Sequence, residues 1–148
     1  MSRAAEHAPT DASFERASPE VLTEDRLLVL AADRVARGWC RASLAEDRHG
    51  RRVEPWSPSA CRWSPLGAML AVWLERSAPR PEVLEVAYSA FGIATGGRPE
   101  EWSAAPWRTA WHVLSALSRA RGSVVEARER YAAGTMRRPK PPPDDLIR

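Results

Sequence analysis

The chain has 148 residues, 44% of them hydrophobic and 28% charged, which suits a single globular domain and argues against wholesale disorder. Lysine and arginine exceed aspartate and glutamate by 22 to 19, a net charge of +3 that identifies no partner by itself. Two cysteines exclude a dense disulfide scaffold, and no apolar run reaches the ~20 residues needed to span a bilayer.

The N-terminal stretch, residues 1–17, is small and polar with Phe14 its one large apolar side chain, so a disordered tail is expected. It carries Glu6 and Asp11 and lacks the apolar centre of a secretory signal, so a cytoplasmic protein with no membrane segment is expected. The helical domain then spans residues 18–134. A first helix is expected from Thr23 to Arg37, with Thr23 as cap, Glu24 and Asp25 in the first turn, and an apolar stripe of Leu27, Leu28, Leu30, Ala31 and Val35. Gly38 stands where a left-handed stop residue is wanted.

No period holds from Arg41 to Trp56. This long polar loop, with His49-Gly50 as its turn, could include a short hairpin of Ala42–Leu44 against Val53; loops of this length are unusual in small helical domains. Two Ser-Pro pairs follow. Ser57-Pro58 opens a short turn carrying Ala60, Cys61 and Trp63, and Ser64-Pro65 opens a helix to Glu75. Leu66, Met69, Leu70, Trp73 and Leu74 form its expected core face, while Gly67 and Ala68 would let another segment come close.

A third helix, Pro81 to Phe91, is bounded by Gly92 and Gly96-Gly97, and Arg98–Pro106 reads as a connector. A fourth starts at Trp107 or Thr109 and runs to Arg121, burying Trp111 or Trp107 with Val113, Leu114 and Leu117. Gly122 ends or kinks it, and Ser123–Ala133 reads as a fifth, highly charged helix. The fold class is therefore all-α, a compact bundle of four to five helices. Residues 135–148 form a proline-rich tail ending in Asp144-Asp145-Leu146-Ile147-Arg148, whose aliphatic pair could dock on a partner.

Three segments, Gly38-Trp39-Cys40, Ala60–Met69 and Trp102–Thr109, together resemble a small uncharacterised bacterial domain family. That family has a Gly-Trp-Cys corner, an Arg-Trp-Cys-x-x-Gly-Ala-Leu helix start and a late Trp-Asn-Asp-x-x-x-Arg-Thr segment. The likeness spans Leu27 to Ala120. Ser64 stands in place of the family's second cysteine, and Ser103-Ala104 in place of Asn-Asp. The resemblance implies the fold and the domain limits, and no activity.

Candidate chemistry is sparse. Cys40 and Cys61 lie beside tryptophans, where a thiol acts as a small hydrophobe. With His49 and His112 they would make four metal ligands, but no CxxC or HxxxH spacing brings them together, and no cofactor motif is present. Cys61 with His112 as a nucleophilic pair lacks an orienting third group. The seven tryptophans are the unusual feature. Trp39, Trp63, Trp73 and Trp111 suit the core or its edge. Trp56, Trp102 and Trp107 fall in connectors with Arg51, Arg52 and Arg108 nearby, residue types enriched at interface hot spots. The expectation is a non-enzymatic adaptor or accessory subunit that binds another protein through these residues and through Leu146 and Ile147. The alternatives are a small-molecule or catalytic domain built on Cys61 and His112, and nucleic-acid association through the arginines, for which no clustered basic stripe is present.

Overall fold

A computed structural model of the chain describes residues 21–76 and 79–134. Both tails lie outside them, Leu146 and Ile147 included. Helix α1 (Glu24–Arg37) takes its phase from Leu27, Leu28, Ala31 and Val35, all buried. Its first-turn acids and last-turn arginines, Arg34 and Arg37, complement the helix dipole. Thr23 stands at the N-cap, but its side chain makes no capping bond to the backbone. Gly38 is extended (φ −174°) rather than the expected left-handed stop. Space explains the glycine there: a Cβ would lie 2.1 Å from the Cys61 carbonyl oxygen.

Two short antiparallel strands, β1 (Ala45–Glu46) and β2 (Arg62–Trp63), follow, with Ala45 opposite Trp63. Single bridges add Trp39 beside Trp63 and Arg52 beside Glu46. Val53 does return along the early loop, but its N–H donates to the Ala45 carbonyl (3.1 Å), beyond the Ala42–Leu44 stretch expected to pair with it. The turn at His49-Gly50 is present, with Gly50 in the left-handed region (φ 76°).

Helix α2 (Pro65–Leu74) begins as its Ser-Pro pair requires: the Ser64 hydroxyl accepts from the Gly67 N–H at 3.1 Å, and Pro65 needs no partner. Its buried face differs from the expected one. Ala68, Met69, Ala71 and Val72 point inward, Leu66, Leu70 and Trp73 are half-buried, and Leu74 is exposed. The glycine at 67 is required by space, because the backbone at Leu44 comes so close that a Cβ on Gly67 would sit 1.7 Å from its carbonyl oxygen.

Helix α3 (Pro81–Thr95) runs past Gly92 and stops at Gly96, which supplies the left-handed cap (φ 76°). The stretch read as a connector contains a short helix, α4 (Pro99–Ala104). Helix α5 (Ala110–Ala132) is continuous through Gly122, so the expected fourth and fifth helices are one 23-residue helix. A lone exposed glycine costs about 1 kcal/mol in a helix, which the packing of Leu117, Ala120 and Val124 on either side outweighs. Helix α1 lies at the centre, packed on α5, α2 and α3. Among the described residues no helix is long and apolar enough to cross a membrane.

Candidate partner-binding surface

The long loop is braced from within. Asp47 accepts from the backbone N–H groups of His49 (2.8 Å) and Arg51 (2.9 Å), closing the turn. Those bonds, the one from Arg51 foremost, hold its carboxyl below the ordinary aspartate value against an opposing desolvation. Deeper in, the Trp63 indole donates to the Pro55 carbonyl at 2.9 Å, with Trp63 only 8% exposed. The Arg34 guanidinium covers the Trp63 ring at 5.3 Å and pairs with Glu75, tying α1 and α2 to the same corner.

The segment between α4 and α5 meets this loop through a backbone acceptor. The Arg41 guanidinium donates to the Arg108 carbonyl at 2.7 Å and lies over Trp39 at 5.1 Å. Between the loop and α4 opens a groove of about 720 Å³, whose walls include Arg52, Val53 and Pro55 on one side and Pro99, Glu100 and Ser103 on the other. Leu44 and Leu66 give it apolar lining, and buried Ser64 and Ser103 give it hydroxyls. Such a mixed cleft suits a segment carrying both aliphatic and polar groups.

The expected site residues separate into two groups. Arg52 lines the groove, Arg51 is exposed on the turn, and Trp56 and Trp107 are 53% and 68% exposed. Trp102 and Arg108, by contrast, serve the fold. Trp102 is half-buried and meets Phe91 edge-on at 5.8 Å, and Arg108 stacks on Trp102 at 4.0 Å while its Nε donates to the Trp102 carbonyl. Trp111, expected at the core, is 71% exposed beside His112. The phase of α5 carries the signal for this: Trp111 lies about 200° around the helix from Val113, and Val113, Ala116, Leu117 and Ala120 are the buried set.

The other candidates are occupied locally. His112 Nδ1 accepts the Thr109 N–H at 3.0 Å, capping α5, and no hydrogen bond joins His112 to Cys61 among the described residues. Cys40 is buried, its thiol donating to the Ser43 carbonyl at 3.2 Å, and burial pushes that thiol up. Cys61 is half-buried and reduced. The described residues contain no group of three or more His, Cys, Asp or Glu placed to hold a metal ion.

No curated protein and no solved structure matches the chain. Residues 19–123, which contain α1 to α4 and over half of α5, match a family of unknown function. The span expected from the three motifs, Leu27 to Ala120, falls within that match, and the chain belongs to the DUF6197 family.

Proposed function

We propose that the chain is a non-enzymatic adaptor or accessory subunit that binds another protein at the end where the Arg41–Trp56 loop meets the segment after α4. One observation carries the reading: the Arg41 bond to the Arg108 carbonyl makes two distant segments one surface. On that surface the Arg52-lined groove has the exposed indoles of Trp56 and Trp107 flanking its walls in sequence. Indole and guanidinium groups are enriched among the residues that dominate binding when a partner packs on the ring and pairs the charge, and a groove between them supplies shape. Trp111, in the first turn of α5, is a further exposed indole.

Support for a catalytic role is weaker, because the imidazole that would serve Cys61 is engaged at the α5 cap. Co-purification of the tagged full chain from its native host tests the adaptor reading. A stoichiometric companion held by the wild type and lost with Trp107→Ser or Arg52→Ser is the expected result. No companion, or one that survives Trp56→Ser, Trp107→Ser and Arg52→Ser alike, overturns it.

A further inference from the structure

A second groove, of about 410 Å³, lies between α3 and α5, away from the loop surface. Val86, Ala90 and Ile93 of α3 and Val124 and Ala127 of α5 line it, and among the described residues Glu85 is its one charged lining residue. Ile93 is 80% exposed, and Val86 is exposed with it. Scattered apolar side chains at a surface need no explanation, but a continuous apolar groove between two helices marks a place that something covers.

We propose that the groove is covered by the chain's own residues 135–148, with Leu146 and Ile147 seated against Ile93 and Val124. Reach supports this occupant. Helix α5 ends at Ala132, with Gly134 just beyond it in the left-handed region (φ 71°), and Ala127 and Val124 precede Gly134 by two to three turns' worth of residues, about 10–15 Å along the axis. A proline-rich segment rises about 3.1 Å per residue, so Leu146 can lie up to ~37 Å from Gly134, ample to turn back and cover the groove. Charge supports it as well. Glu85 has no ion pair among the described residues, and the segment brings Arg137, Arg138 and Lys140 ahead of its Pro141-Pro142-Pro143 run. Its aliphatic pair then matches an apolar lining in kind.

The composition offers a direct test, because Ile93 and Ile147 are the chain's two isoleucines. Labelling isoleucine δ1 methyls in the full chain leaves two resonances, and a nuclear Overhauser cross-peak between them is expected. Leu146→Asp is expected to abolish the cross-peak and shift the Ile93 methyl without changing the fold of the helices. Absence of the cross-peak, with an Ile93 methyl unmoved by Leu146→Asp, overturns the proposal. A cross-peak that fades on dilution, or that arises between separately labelled copies, also overturns it, by assigning the groove to a second copy.

Discussion

Gly67 and Leu44 are in backbone contact: a Cβ built on Gly67 lies 1.7 Å from the Leu44 carbonyl oxygen and 2.6 Å from its carbon. That approach sets the start of α2 against the long loop, and the same loop residue takes the Ser64 N–H at 3.1 Å. The groove wall at Leu44, Ser64 and Leu66 thus depends on one missing methyl.

Gly67→Ala is therefore expected to destabilise the chain by about 3 kcal/mol or more, since neither backbone can yield without displacing the other. Gly122→Ala is the opposite case. None of the described residues lies within 4 Å of its absent Cβ, the site is mid-helix and exposed, and a gain of about 0.5–1 kcal/mol is expected. Urea midpoints at constant slope distinguish the two; a tolerated Gly67→Ala contradicts the close contact.

Much of this frame was legible in the sequence where local chemistry and tertiary demand coincide. Ser64-Pro65 starts α2 and the buried stripe of α1 runs at helical spacing, because a cap and a period are local signals. Glycine was the poorer guide. Gly92 and Gly122 lie inside helices whose packing outweighs the local penalty, and Gly38 serves an approach to Cys61 that no neighbour in sequence announces. The site divided the same way. Exposure of Trp56 and Trp107 followed from their place in connectors, whereas the burial of Trp102 comes from Phe91, on another helix. The Arg41 bond to a carbonyl was invisible, since any residue at 108 but an altered backbone would offer the same acceptor.

Two tryptophans in one corner should respond differently to loss of the indole nitrogen. Trp63 donates to a carbonyl on buried Pro55, so Trp63→Phe loses packing and strands that acceptor, at an expected cost of about 2–4 kcal/mol. The Trp39 indole N–H is buried without a hydrogen-bond partner among the described residues, so Trp39→Phe removes an unsatisfied donor that offsets the lost ring, and a change under about 1.5 kcal/mol is expected. Equal losses in denaturant melts would contradict the assignment.

Acid sensitivity should be traceable to the junction of α1 with α5. Arg128 donates to Asp25 at 2.8 Å and lies 3.5 Å from Glu24. Burial alone would raise the Asp25 carboxyl, but hydrogen bonds from Thr23 and Arg128, with the Arg128 charge, hold it below its ordinary 3.8. A folded value below the unfolded one means stability that is full above the unfolded value and lost as pH falls through the folded value. Stability measured from about pH 6 down to about pH 2 should therefore fall less in Asp25→Asn than in the wild type. An unchanged acid limb would remove this contact from the account.

The two thiols should part in reactivity. Cys40 is 4% exposed and bonded to Ser43, and burial raises its thiol above the ordinary value, leaving less thiolate at neutral pH. Cys61 is only half-buried. A small thiol probe read by mass spectrometry should modify Cys61 at least about tenfold faster than Cys40 in the native chain, with Cys40 reacting fully on unfolding. Faster labelling of Cys40 would contradict its place in the core.

Trp107 and Trp111 should be separable from the fold altogether. Both indoles are largely exposed, and neither belongs to the packed core. Trp107→Ser and Trp111→Ser are each expected to shift stability by less than about 0.5 kcal/mol, the range of surface changes that break no buried contact. Each should also lower the fraction of tryptophan emission quenched by acrylamide, because the removed rings are among those water reaches. If Trp107→Ser weakens partner recovery with the unfolding midpoint unmoved, the loss lies at the surface and not in the scaffold. A midpoint that collapses instead would mean that the ring packs within the chain, and the aromatic surface proposed for the partner would lose its centre.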